Sequence, residues 1–134
     1  MPEGLGRLSI IVFDGGFARI HYALAMASAA AATNRPATLF FTGRALNALI
    51  PDGWRRLEGD AAEADARLAE RGVATFPELL EACRDLGVRF IACEMGLRAE
   101  GIDRAELDPA LRIEMAGIVT FLNEARPDGG LLFV

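Results

Sequence analysis

The hydrophobic and polar positions of this chain alternate in period, and the alternation predicts the elements. Leu8-Ser9-Ile10-Ile11-Val12-Phe13 is a near-continuous β-branched and aromatic run, the signature of a strand buried on both faces. Asp14-Gly15-Gly16 breaks it, and Phe17 to Thr33 follows with Phe17, Ile20, Leu24, Ala27 and Ala31 at helical spacing. Asn34-Arg35-Pro36 ends that helix. Ala37 to Phe41 reads as a second strand, Thr42-Gly43 closes it, and Arg44 to Ile50 begins another helix that Pro51-Asp52-Gly53 stops. From Trp54 to Arg71 the chain is charged and reads as a surface helix or a mobile excursion.

The second half is more sharply punctuated. Thr75-Phe76-Pro77-Glu78 is a helix start, with a capping residue, an acid three positions on and a proline in the first turn. Phe76, Leu79, Leu80, Cys83 and Leu86 form its apolar face, and Gly87 ends it. A third strand, Val88 to Ala92, follows at once. Beyond Cys93 the chain reads as irregular through Gly96 and Gly101, with one short capped turn at Asp103 and Glu106. Leu111, Ile113 and Met115 alternate as a short strand near one edge, Gly117 to Ala125 reads as helix, Pro127 to Gly130 as a turn and Leu131 to Val134 as a last strand. Such alternation implies an α/β fold of three layers: a mostly parallel, five-stranded sheet with helices on both faces. Ligands in such sheets bind beyond the carboxyl ends of the strands. That selects Asp14-Gly15-Gly16, Thr42-Gly43-Arg44, Cys93-Glu94-Met95-Gly96 and the residues after Met115.

Length and composition narrow the classes. One domain is expected over residues 1–134, with 54–71 as its charged segment. The net charge of -5 lacks the basic footprint of a nucleic-acid binder, so no direct nucleic-acid partner is expected. The longest apolar run, Tyr22 to Ala32, is too short to span a bilayer. Two cysteines outside any Cys-rich framework, and a start without a signal-peptide pattern, fit the reducing cytoplasm.

Only one strand-end segment offers a nucleophile. A cysteine at the carboxyl end of a buried strand sits among backbone N–H groups, and a helical turn starting there would favour thiolate. Arg44 or Arg98 would add positive charge, and Glu94 would oppose it. The competing reading of Cys93 is a small buried hydrophobe. Cys83, on an apolar helix face, reads as core. His21 is the only histidine and reads as a surface or interface residue, and one His with two Cys makes a dedicated zinc site improbable. Neither a dinucleotide fingerprint nor a P-loop is present; the chain has no Lys. No cofactor is expected. Asp14-Gly15-Gly16 reads either as a tight turn or as the lining of a small anion pocket.

The strand-Asp-Gly start, the Ala-rich helix, Thr38-Leu39-Phe40-Phe41-Thr42 and Leu46-Asn47-Ala48-Leu49 together resemble the DsrE/DsrF/DsrH-like family of sulfur-trafficking proteins. Leu86-Gly87-Val88, Phe90-Ile91-Ala92-Cys93-Glu94-Met95, Gly101-Ile102 and Gly117-Ile118-Val119-Thr120-Phe121-Leu122 resemble it more closely. The resemblance implies a flavodoxin-like α/β fold, a homo-oligomer (often a trimer or hexamer), and sulfur donor and acceptor proteins as partners. It also implies that Cys93 matches the family cysteine that carries persulfide sulfur. This chain departs from the family where many relatives read Cys-x-Met-Ser-Met and it reads Cys93-Glu94-Met95-Gly96-Leu97.

Three functions follow as expectations. The first is a sulfur carrier or sulfurtransferase subunit working through Cys93. The second is a non-catalytic module of the same fold that binds a small anion or nucleotide at Asp14, Gly15, Gly16, Thr42, Gly43, Arg44, Glu94, Met95, Gly96 and Arg98, or that serves assembly alone. The third, a thiol peroxidase, lacks a visible resolving thiol or peroxide site.

Overall fold

A computed structural model describes residues 6–125 and 129–134. Five strands, β1 (Leu8–Val12), β2 (Ala37–Phe41), β3 (Arg89–Cys93), β4 (Glu114–Ala116) and β5 (Gly130–Phe133), form one sheet in the order β4-β3-β2-β1-β5. Every pairing is parallel. Five α-helices connect them: α1 (Phe17–Ala32), α2 (Ala61–Glu70), α3 (Phe76–Asp85), α4 (Glu94–Glu100) and α5 (Ile118–Glu124). The layers are those of flavodoxin, but the strand order 4-3-2-1-5 differs from flavodoxin's 2-1-3-4-5.

That order decides how the two faces are covered. From β1 to β4 the chain steps across the sheet in one direction, and right-handed crossovers place all the intervening helices on one face. Ile10, Val12, Leu39, Phe41, Phe90 and Ala92 point into this face and pack with Ile20, Leu24 and Ala27 of α1 and Phe76 and Cys83 of α3. The return from β4 to β5 reverses direction and puts α5 alone on the opposite face. There Phe121 of α5 stacks on Phe40 of β2, with ring centroids 4.4 Å apart and 9° between planes. Ile91 and Cys93 complete this smaller core. Beside it an apolar strip stays open: Phe13, Ile118, Val119, Leu122, Leu131 and Phe133 are all exposed, and Phe13 and Phe133 lie ring to ring at 5.8 Å.

Several expected elements are sharpened or corrected. The charged segment forms a surface helix, α2, preceded by a 3-10 turn, Gly53–Arg56, that buries Trp54 against Phe17 and Phe76. Buried Asp65 of α2 accepts the Phe76 N–H at 2.7 Å and so fastens α2 to the start of α3. The capping box at Thr75 and Glu78 forms. The helix expected over Arg44 to Ile50 is instead a 3-10 segment, Gly43–Leu49, in which Asn47 Nδ2 donates back to the Arg44 carbonyl. The strand expected from Leu111 begins only at Glu114. Asp108 caps a 3-10 turn over Pro109–Leu111, and Arg112 takes a left-handed conformation, so Leu111 is buried from a turn. After Cys93 the chain enters α4 directly, where irregular structure was expected. The expected turn at Pro127 and Asp128 lies outside the described residues. Among those described, no helix is long and apolar enough to cross a membrane.

One ion-pair cluster ties β3, β4 and α5 together. Arg89 donates to both carboxylate oxygens of Glu114, at 2.9 and 2.7 Å, and to Glu124 at 3.5 Å. The Arg89 hydrogen bonds, the largest effect, hold the Glu114 carboxyl below its ordinary range although burial opposes them. A carboxyl depressed in the folded state contributes stability above the unfolded value of about 4.3 and loses it as pH falls through the folded value. Wild type should therefore exceed Glu114→Gln by up to about 1 kcal/mol near neutral pH, a margin typical of a half-exposed pair. Urea denaturation at stepped pH should show that margin closing below about pH 4.

Candidate functional site at the end of the third strand

Alternation along β3 decides which way each side chain points. Phe90 and Ala92 face the large core, and Ile91 and Cys93 face the small one. Cys93 is both the last residue of the strand and the N-cap of α4, and the Gly96 N–H donates to its Sγ at 3.4 Å. Cys93 is 2% exposed and clusters with Phe40, Ile91 and Phe121 of α5. Cys83 sits on the other side of the sheet, donates to the Leu24 carbonyl at 3.4 Å, and is pushed up to about 12 by burial. Both thiols are free, and the sheet lies between them.

The turn after Cys93 is seated on the loop that follows β2. A side chain at Gly96 would place its Cβ 2.6 Å from Thr42 Oγ1 and 3.3 Å from the Gly43 nitrogen, so this helix start approaches that loop only through a glycine. Gly43 adopts φ +59 with the Phe13 ring 3.2 Å from where a Cβ would stand. Thr42, Gly43 and Gly96 are therefore brought together, as position at the strand ends required. Glu94 and Met95 are exposed on the first turn of α4.

The remaining expected residues gather elsewhere. Arg44 is committed to Glu58, at 2.6 Å, a pairing that raises its pKa. Asp14 accepts the Gly16 N–H at 2.7 Å, which closes the turn after β1. Phe13, Asp14, Gly15, Gly43, Arg44, Glu58 and Glu100 line a shallow cavity of about 340 Å³ at the strand ends, and Cys93 is not part of that lining. With three carboxylates against one paired arginine, this cavity offers an anion little attraction. Arg98 lies in the last turn of α4, away from the sulfur-bearing end. Neither arginine is hydrogen-bonded to Cys93. Glu58, Glu100 and Phe121 were not foreseen in the sequence. Each lies far along the chain from the residues it meets, and no local pattern marks such a meeting.

A five-stranded parallel α/β sheet with a cysteine at the junction of β3 and a short helix defines the class. The chain belongs to the DsrE/DsrF/DrsH-like family, whose model matches residues 61–130. It is similar to the uncharacterized protein YrkE of Bacillus subtilis, at 26% identity over the full length of both chains. Two solved structures share the fold. A protein of unknown function, MTH1491 of Methanobacterium thermoautotrophicum, gives a TM-score of 0.63 at 17% identity, covering 96% of this chain and 98% of its own. The ychN protein of E. coli gives 0.61 at 18%, covering 96% and 100%.

Removing the α5 anchor should uncover the sulfur. Phe121→Ala is expected to cost about 3–5 kcal/mol, the usual range for a buried phenylalanine. It should also speed modification of Cys93 by a thiol reagent under native conditions, with Cys83 staying slow in both proteins. Peptide mapping of the labelled cysteine checks this; unchanged labelling of Cys93 would mean that α5 does not control access.

Proposed function

We propose that this protein is a sulfur carrier, or a sulfurtransferase subunit, in which Cys93 accepts sulfane sulfur and passes it on as a persulfide. The observation that supports this most is the placement of Cys93 at the β3–α4 junction with the Gly96 N–H on its sulfur, in a chain of this family. The Cys93 thiolate attacks the outer sulfur of a donor persulfide. The donor's S–S bond breaks, its inner sulfur leaves as thiolate with the electron pair, and a Cys93–S–S⁻ group forms. An acceptor thiolate then attacks the outer sulfur and releases the Cys93 thiolate. No net oxidation is needed. The Gly96 N–H is one donor for the negative charge carried before and after transfer. Because the sulfur is covered by α5, loading requires that helix to shift, and its single buried aromatic anchor, Phe121, suits it to that.

The partners in this reading are a donor protein, an acceptor protein and further copies of this chain. Parallel sheets are almost always covered on both faces. The open strip of Phe13, Val119, Leu122, Leu131 and Phe133 supports self-association, in which another copy supplies the missing cover. Two unpaired thiols support a reducing compartment such as the cytoplasm. A second reading, a non-catalytic binding or assembly module, is favoured by the burial of Cys93 and by its absence from the lining of the strand-end cavity.

Mass spectrometry after incubation with polysulfide separates the two. The carrier gains about 32 Da, one sulfur on one thiol. That gain persists in Cys83→Ser and disappears in Cys93→Ser. Absence of loading in the wild type, or equal loading of both variants, would establish the second reading instead.

A further inference from the structure

On the face of the sheet away from Cys93, α1 and α2 flank an open cavity of about 260 Å³. Its walls are apolar: Ala18, Ala64 and Leu68, with the buried Phe17 at the back. Its rim carries Arg67 of α2 and Arg71, the C-cap residue four positions on, together with His21 of α1. No carboxylate lines it, although the chain as a whole carries a net charge of -5. Among the described residues neither Arg67 nor Arg71 enters an ion pair, whereas Arg44, Arg84 and Arg89 all do.

The walls are held in place from three directions. His21 Nε2–H donates to the Ala74 carbonyl at 2.8 Å, which ties α1 to the loop after α2. Asp65 binds α2 to α3. The Phe17 N–H donates to the Glu58 carbonyl at 2.9 Å, which fixes the first turn of α1. The half-buried His21 ring stacks on the buried Phe17, 25° between planes with centroids 5.7 Å apart, so the accessible aromatic group on the α1 side is His21, backed by Phe17. Two like charges one helical turn apart repel, and an anion between them removes the penalty. Guanidinium groups at that spacing, about 5–6 Å between Cβ atoms, can share one carboxylate.

We propose that this cavity binds a small organic carboxylate with a planar ring, the ring entering against His21, Ala18 and Leu68 and the carboxylate held by Arg67 and Arg71. The volume lies just below the usual range for drug-sized ligands, about 300 Å³ and upward, and so fits a single ring system and its acid group. Three features select this class: apolar walls of Ala18, Ala64 and Leu68, the His21 ring beside them, and two guanidinium groups at the mouth with no acid in the lining.

Sodium benzoate is the probe, with benzamide and acetate as controls at constant ionic strength, followed on the full chain by backbone amide NMR. Benzoate should give saturable shifts at Ala18, Leu68 and Arg71, and affinity should fall about tenfold or more in Arg67→Gln/Arg71→Gln, where both charge-assisted contacts are gone. Ala18→Leu, which fills the apolar slot and keeps both guanidinium groups, should also abolish binding. The proposal is overturned if benzoate produces no saturable shift, if benzamide binds as well (the charge is not read), if acetate binds as well (the ring is not read), or if the double variant binds unchanged. Each outcome is independent of sulfur loading, because Cys93 lies on the opposite face of the sheet.

Discussion

The handedness of parallel crossovers sets the asymmetry on which the rest of this molecule depends. With strand order 4-3-2-1-5, three crossovers share one face and a single return crossover serves the other. The crowded face holds the large core. The sparse face holds α5, seven residues long, anchored through one aromatic stack between Phe121 and Phe40. Burying a phenylalanine contributes about 1.5–3 kcal/mol, and an aromatic pair about 0.5–1.5 kcal/mol more. That is enough to hold a short helix in place and small enough to let it open without unfolding the sheet.

Cys93 inherits its character from the same asymmetry. Alternation turns its side chain to the sparse face, so its cover is α5 and not the helices of the main core. Cys83, on the crowded face, is enclosed by α1 and the sheet and is held as a neutral thiol far above neutrality. Two cysteines of one chain are thus distinguished by which crossover lies over them. The open apolar strip beside α5 has the same origin, for nothing in the chain order supplies a second helix there.

Where residues close in sequence determine the structure, the sequence was readable. The strand cores, α1, the capping box at Thr75 and Glu78 and the capped turn at Asp103 each depend on neighbours a few positions apart. The family was legible from short motifs around Cys93. Three features were not. The 3-10 form of Gly43–Leu49 depends on a left-handed Gly43 pressed against Phe13, a contact across thirty residues of chain. The late start of β4 depends on Arg112 adopting a left-handed conformation that its residue type does not announce. The positive charge expected near Cys93 from Arg44 or Arg98 is placed elsewhere for a geometric reason. Arg44 turns to Glu58 in the segment that read only as charged, and Arg98 stands at the far end of a helix whose near end is the cysteine.

The charged segment shows how composition alone misleads. Its five acids outnumber its four arginines, yet they sort by position once α2 forms. Asp65 turns inward to bind the Phe76 N–H, Glu58 leaves the segment to meet Arg44, and Arg67 and Arg71 remain on the surface that faces α1. An overall acidic chain thereby lines one small cavity with two arginines and no acid. Long-range attraction of anions to the whole molecule is weak at this net charge, and within a Debye length of about 8 Å at physiological salt only the nearest charges count. Selectivity at such a place therefore rests on the two guanidinium groups and the shape beneath them, and the net charge of the chain does not enter into it.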